Sequence, residues 1–191
     1  LVGFSNLGCK IGYKRNFFES NQKVFLNNLL FSTQILIASI FGMILIIFFI
    51  FEDNIYKYFN ISNQIRSIFL LLFISVMIDS FSKYYLIYLE NNKLSKKYFL
   101  LFFFKTYLYF LITILLLFFD YGLKSIVYGL LASNIYLLIV TLYNQFRIGL
   151  NKYRFNLNLV KNVLSISLPA TPRSLFGKIN SDLDKILIGY F

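Results

Sequence analysis

The sequence predicts an all-α fold, a polytopic transmembrane helix bundle. Three observations predict it: an apolar composition, a series of apolar segments long enough to cross a bilayer, and basic residues concentrated in alternate loops. Of the 191 residues, 58% are hydrophobic and 14% are charged, and the mean hydropathy is +0.67. Soluble domains are roughly 45–50% apolar and about 25% charged. A soluble chain of this composition would therefore leave large apolar patches exposed to water.

Apolar runs define the predicted spans, because a helix needs about 20 mostly apolar residues to cross a bilayer core. Residues 24–51, 65–89, 98–119 and 123–143 form four full spans. Residues 163–189 form a fifth, weaker one, which carries two prolines and five charges. The segment 1–11 is apolar but too short, and the chain does not begin with Met. We therefore expect an internal fragment of a longer protein, with 1–11 as the end of a span.

Basic residues are concentrated in every second loop. They are Lys10, Lys14, Arg15 and Lys23 in the first such loop, Lys93, Lys96 and Lys97 in the second, and Arg147, Lys152, Arg154 and Lys161 in the third. The two opposite loops hold only Lys57 and Lys124, accompanied by acidic residues. The positive-inside rule places the basic loops in the cytoplasm. The net charge of +11 thus indicates orientation in a lipid bilayer, and no nucleic-acid partner is expected.

Two loops and one span have further features. Residues 13–23 mix basic and aromatic side chains and are expected along the inner membrane surface. Residues 145–162 form the longest polar stretch, the best candidate for a joint between two membrane lobes. The fourth span carries small residues that allow helices to approach closely. These are Gly122, Ser125, Gly129, Ala132 and Ser133.

Histidine is absent, and Cys9 is the single cysteine. The commonest general base and the commonest zinc ligand are therefore missing, and Cys9 can form neither an internal disulfide nor a cysteine-based metal site. We expect a protein that is not an enzyme and has no cofactor or metal.

The first set of charges at membrane depth comprises Asp79 and Lys83 on the second span and Lys105 on the third. Ionisable groups inside a membrane are costly and suggest function. Asp79 and Lys83 are four residues apart, so they can neutralise each other on one helix face. Lys105 lies in an aromatic run and is expected to face the bundle interior. The alternative is that both lysines extend to the membrane interface.

The second set of charges lies in the span 163–189. It comprises Arg173, Lys178, Asp182, Asp184 and Lys185. Pro169 and Pro172 free backbone groups in the same segment, which then need water or protein partners. Broken polar spans near a lobe interface are typical of transporter binding sites. We expect a helix, bent near the prolines, that lines a solvated cavity; the alternative is a surface helix at the membrane edge.

Two segments resemble a known family. The segment 164–191, LSISLPATPRSLFGKINSDLDKILIGYF, resembles the seventh span of polysaccharide-exporting flippases of the multidrug/oligosaccharidyl-lipid/polysaccharide superfamily. Pro169 matches the entry of that span, and Asp184, Lys185 and Gly189 match its ending. The opening GFSNLGCKIGYKRNFFE (3–19) is similar to the end of the second span, where Arg15 and Glu19 fit a basic residue before an aromatic loop.

The resemblance extends over all 191 residues and implies an architecture and an activity. Residues 1–146 would be most of a first six-helix lobe, 147–162 a cytoplasmic linker, and 163–191 the first helix of a second lobe. The implied protein is a flippase of O-antigen type in the bacterial inner membrane. By alternating access it moves an undecaprenyl-pyrophosphate-linked oligosaccharide across the bilayer, with a proton or sodium ion as the coupling ion.

Charge chemistry is consistent with that substrate, because a lipid-linked pyrophosphate is anionic and needs a cationic path. The path candidates are Arg15, Lys83, Lys105, Arg173 and Lys178, and the coupling or gate candidates are Asp79, Asp182, Asp184 and Lys185. The nearest alternative is a drug or cation antiporter of the same superfamily, which needs uncompensated acidic residues in its first lobe. A membrane-embedded polysaccharide polymerase is a further alternative, disfavoured by short outer loops and the absence of histidine.

Overall fold

A computed structural model describes residues 8–20, 22–58, 63–148 and 153–190 of the chain, and this part contains six α-helices and no strand. The helices are α1 Cys9–Phe17, α2 Lys23–Tyr58, α3 Asn63–Asn91, α4 Ser95–Phe118, α5 Leu123–Ile148 and α6 Leu157–Tyr190. Within these helices, the side chains of 53–55, 57–58, 63–65, 148, 173–175 and 177–190 are outside the description. The predicted all-α class is confirmed.

Four helices are long and apolar enough to cross a membrane. Their candidate spans are Lys23–Glu52, Arg66–Asn91, Ser95–Phe118 and Leu123–Arg147, on α2 to α5. These match the four full spans predicted from the sequence, so the chain is a multi-pass membrane protein. On α6 the side chains are described continuously only over 157–172, which is shorter than a span. The fifth span therefore stays a prediction.

Tight turns at the ends of α3 and α4 make these helices antiparallel to the helices that follow them. Lys93 and Asp120 adopt left-handed backbone conformations, with φ of 58° and 60°. After each of them, a backbone N–H bonds back across the helix end, from Leu94 to the carbonyl of Leu89 and from Tyr121 to that of Leu116. This is the pattern of a Schellman cap. The connections between α3, α4 and α5 are only three and four residues long, which favours antiparallel packing of neighbours.

The chain divides into two compact units. The second unit is Phe41–Asn151 and contains the rest of α2 with α3, α4 and α5. Here α5 packs along both α3 and α4. An aromatic cluster joins α2 to α3: the Phe48 ring lies 5.6 Å from that of Phe69 and 6.3 Å from that of Phe73, and the Phe73 ring lies 5.9 Å from that of Phe41.

The first unit is Leu1–Ile40 together with Lys152–Phe191, and its described part contains α1, the first half of α2, and α6. Helix α1 packs against α6. Just before α6, the chain is held along α2 by backbone N–H groups. That of Arg154 donates to Asn28 Oδ1 at 2.7 Å, and that of Asn156 donates to Ser32 Oγ at 3.0 Å.

Some boundaries differ from those the sequence predicts. The predicted loop 13–23 is helical as far as Phe17, and Tyr13 and Phe17 are buried in the first unit. The loop assignment was therefore wrong for 13–17, because hydrophobic side chains one helical turn apart outweigh the charges between them, while the location along the inner membrane surface stays a prediction. Helix α2 continues to Tyr58. Helix α6 begins at Leu157, inside the predicted linker 147–162. The predicted division into lobes refers to a longer protein and stays a prediction.

Candidate functional site

One face of α3 carries polar residues through the membrane-spanning region. Ser75, Asp79 and Ser82 are spaced by four and three residues, which places them on one face of a helix. Ser75 and Ser82 are fully buried within the second unit, and Asp79 is half-buried. Because apolar side chains surround this face, each polar group on it needs a partner.

Asp79 is ion-paired with Lys105 of the neighbouring helix α4. The Lys105 ammonium donates to the Asp79 carboxylate, and the two side chains are 20% and 28% exposed, respectively. A lone charge at the centre of a spanning helix costs about 2.5–3.5 kcal/mol on insertion scales. The pair offsets that cost, because each charge neutralises the other.

An amide joins α3 to α5 in the same region. Asn134 Nδ2 donates to both the backbone carbonyl and the hydroxyl of Ser75, at 3.0 Å each. Among the described residues, Asn134 Oδ1 and the Ser82 hydroxyl have no hydrogen-bond partner. Asp79, Lys105 and Asn134 each lie within two residues of the midpoint of their helix's candidate span. Three adjacent helices therefore form a polar layer near the centre of their spans.

Helix α4 is peripheral in its unit, with only 6% of its span buried, against 44% on α3. It turns one stripe of residues inwards, Lys105, Tyr109 and Thr113, each four residues apart. Gly129 of α5 allows this approach: a Cβ there would lie 2.2 Å from Thr113 Oγ1 and 3.0 Å from the Tyr109 carbonyl. This confirms the predicted close approach at Gly129. Gly122 lies instead in the turn, with a φ of 55° and open space around it, so its predicted packing role was wrong.

The partner of Asp79 differs from the one suggested by spacing. Asp79 pairs with Lys105 on α4 and not with Lys83, which is four residues away on its own helix. Lys83 is exposed, as is Arg15 in the last turn of α1. The predicted local pairing of Asp79 with Lys83 was therefore wrong. The roles of Lys83, Arg15 and Lys105 in a substrate path stay predictions.

The predicted site residues of α6 lie outside the described side chains. They are Arg173, Lys178, Asp182, Asp184 and Lys185. The backbone of α6 is helical through both Pro169 and Pro172. Next to them, the Thr171 hydroxyl donates to the Ser167 carbonyl at 2.9 Å, which gives that part of the helix an additional side-chain bond. A cavity along α6 stays a prediction.

A second charged pair lies where α2 leaves its candidate span. Arg66 Nε donates to Glu52 Oε1 at 2.9 Å, and the Arg66 guanidinium lies 4.8 Å from the centre of the Tyr56 ring. Burial raises the pKa of Tyr56, and the Glu52 carboxylate raises it further, while Arg66 lowers it. Sequence analysis missed this cluster because Glu52 was assigned to a loop, although the spacing of Glu52 and Tyr56 matches one helical turn.

Sequence analysis also missed the contact that joins α1 to α6. Gly8 and Gly12 are four residues apart, a spacing that lets helices pack backbone to backbone. A Cβ at Gly12 would lie 2.3 Å from both the Ser167 hydroxyl and the Val163 carbonyl. The spacing was visible in the sequence but fell in a segment interpreted as the end of a span.

A family model described as "Polysaccharide biosynthesis protein" matches residues 2–191, almost the whole chain. No curated protein and no solved structure matches the chain.

Proposed function

Since the chain belongs to the family of polysaccharide biosynthesis proteins, we propose that it acts in polysaccharide export as a flippase. The proposed activity is alternating-access movement of an undecaprenyl-pyrophosphate-linked oligosaccharide across the bacterial inner membrane. This activity is more specific than the role that family membership supports, which is that of a multi-pass membrane protein of polysaccharide biosynthesis.

The observation that carries the proposal is the ion pair between Asp79 and Lys105 near the centre of two adjacent spans. A chain that served only as a membrane scaffold would gain more from apolar residues at these positions, since replacing an internal ion pair by well-packed apolar residues is often neutral or stabilising. An ion pair at this depth is consistent with charges that change partners during transport.

The chemistry of the pair suits an anionic cargo. In the described state Lys105 is held by Asp79, and an anion that competes with Asp79 would draw the Lys105 ammonium away from it. The ammonium is then a cation near the membrane centre that can contact the pyrophosphate. Asn134 Oδ1, which has no hydrogen-bond partner among the described residues, can accept hydrogen bonds from sugar hydroxyls.

The same pairing argues against the antiporter alternative. An antiporter that binds cations in its first lobe needs an acidic side chain free of a basic partner. The acidic side chains described on α2 and at the centre of α3, Glu52 and Asp79, are both ion-paired.

The test is export by the complete protein in cells that lack their own flippase. Lys105→Gln should lower surface polysaccharide about tenfold or more, the effect of losing roughly 1.4 kcal/mol of stabilisation in the rate-limiting step. Lys96→Gln is the matched control, because Lys96 is exposed in the first turn of the same helix. Protein abundance in the membrane is measured in parallel.

A charge swap separates function from folding. The double variant Asp79→Lys/Lys105→Asp keeps an ion pair but moves the cation to α3. If the pair only holds the helices together, the swap restores export; if α4 must present a cation, the protein inserts normally and export stays low. Wild-type export in both Lys105→Gln and the swapped protein would contradict the proposed mechanism.

A further inference from the structure

Two adjoining cavities lie in the second unit, at the end where α3 and α5 begin and the candidate span of α2 ends. The larger measures about 470 Å³ and is lined by Glu52, Arg66, Ser67, Leu70 and Leu71. The smaller measures about 60 Å³ and is lined by Ser67, Ile68, Leu71, Lys124, Val127 and Tyr128. Because Ser67 and Leu71 line both, the two form one groove, called here the α3–α5 groove.

The lining of the groove is charged at the ends of the spans and apolar deeper along them. Its polar groups are at the ends of the candidate spans: Arg66 is the first residue of the α3 span, Lys124 the second of the α5 span, and Glu52 the last of the α2 span. The leucines, Leu70 and Leu71, lie one turn deeper along α3. The groove therefore changes from charged to apolar over the distance at which a bilayer changes from headgroup to hydrocarbon.

The charges of the groove suit a single anion. Glu52 accepts from Arg66 Nε, and the Tyr56 ring supports the guanidinium from one side. Arg66 is thus fixed in place, while its charge is balanced by Glu52. Lys124 adds one further positive charge, so these three residues sum to +1. A phosphodiester carries one negative charge and matches that sum.

We propose that the α3–α5 groove binds an anionic phospholipid, with its phosphate beside Lys124 and Ser67 and an acyl chain along Leu70 and Leu71. The lipid would occupy the seam between α3 and α5 at one membrane face, away from the polar layer at the centre of the spans. This binding is independent of the proposed export activity, because it requires neither cargo nor a coupling ion.

The experiment is a lipid titration of the complete purified protein, followed by native mass spectrometry. Phosphatidylglycerol and phosphatidylcholine are compared, since both carry a phosphate but only the first is a net anion. Lys124→Gln should weaken phosphatidylglycerol binding about tenfold, as expected for the loss of one charge-assisted contact. The same variant should lose much less affinity for phosphatidylcholine, because the choline group already offsets the charge of its phosphate, and Lys124→Arg should restore the wild-type preference for phosphatidylglycerol.

Lys96→Gln is the matched control, because Lys96 is also exposed and lies at the opposite end of the unit. An equal loss in Lys96→Gln and Lys124→Gln would show attraction by net charge alone and overturn the proposal. Ser67→Phe fills the shared wall at an exposed position without changing charge, and should weaken both lipids; unchanged binding in that variant would overturn the placement. Displacement of phosphatidylglycerol by millimolar inorganic phosphate would identify a free-anion site instead and contradict a lipid occupant.

Discussion

In the first unit, α1 and α6 meet backbone to backbone at Gly8 and Gly12, and a Cβ at Gly12 would have no room. In the second unit, α3 meets its neighbours through side chains, an ion pair to α4 and an amide to α5. Membrane helices have little hydrophobic driving force between them, so both kinds of contact are recognised ways of holding helices together.

The two kinds of contact differ in what they permit. A glycine contact depends on close packing alone, and it has no charge that a proton or ligand changes. An ion pair such as Asp79–Lys105 can exchange partners when either group is neutralised or finds a better counter-charge. We therefore expect the first unit's contact to be fixed and the second unit's to be the one that responds to cargo.

The largest expected effect is that of Gly12→Ala. The new methyl would collide with the Val163 carbonyl, which belongs to a helix backbone and cannot swing aside. We expect a loss of about 3 kcal/mol in the free energy of unfolding, at the upper end for overpacking. Detergent-titrated unfolding followed by circular dichroism measures it. Gly42→Ala is the matched control, with nothing near its Cβ, and should be neutral or slightly stabilising.

Next in size is Lys105→Met, which leaves the Asp79 carboxylate without its basic partner near the centre of a span. Because Asp79 is 28% exposed, we expect a loss of about 2 kcal/mol, below the full cost of a lone charge at this depth. The double variant Asp79→Asn/Lys105→Met should recover most of that loss in the same unfolding assay. The cycle is completed by the single variant Asp79→Asn. If the loss in the double variant equalled the sum of the losses in the two single variants, the pair would contribute no coupling energy.

A smaller effect is expected for Gly129→Ala, whose methyl would meet Thr113 Oγ1 at 2.2 Å. A hydroxyl on a side chain can rotate away more easily than a backbone carbonyl, so we expect a loss of about 1.5 kcal/mol. Thr113→Ala in the same chain should relieve part of it. A loss as large as that of Gly12→Ala would contradict the expectation that a collision with a side chain costs less than a collision with the backbone.

The smallest effect is expected for Asn134→Leu, which removes both hydrogen bonds to Ser75. Such bonds average about 0.6 kcal/mol in a membrane protein, and the unpaired Asn134 oxygen is lost as well, so stability should fall by less than about 1 kcal/mol. If export nevertheless fell strongly at unchanged protein abundance, Asn134 would belong to the transport path and not only to helix packing.

Four of the helices were predictable because apolar runs of span length have few other interpretations. Helix α2 begins at Lys23, one residue before the predicted start at 24, and α5 begins at Leu123, as predicted. Helix α1 was not predictable from hydropathy, because Lys14 and Arg15 interrupt it. Its buried residues, Cys9, Tyr13 and Phe17, do recur every four positions, so a periodicity test would have found it.

The polar layer was predictable in part. Charges at membrane depth identified Asp79 and Lys105, but spacing favoured Lys83 as the partner, since it is one turn away on the same helix. The actual partner depends on how α4 packs, which a single sequence does not contain. Asn134 and Ser75 were missed for a different reason, because uncharged polar residues in a span carry no comparable insertion cost to mark them.

Cys9, fully buried in the first unit, lies between the two glycines of the α1–α6 contact, and it is the only cysteine in the chain. A thiol reagent reaches it only in molecules where that contact has opened. When reclosure is fast, the rate of alkylation is proportional to the open fraction, so it gives the free energy of local opening. These 191 residues therefore carry a chemical reporter at a close helix contact, and the opening of that contact can be followed through the alkylation of Cys9 without any substitution in this part of the protein.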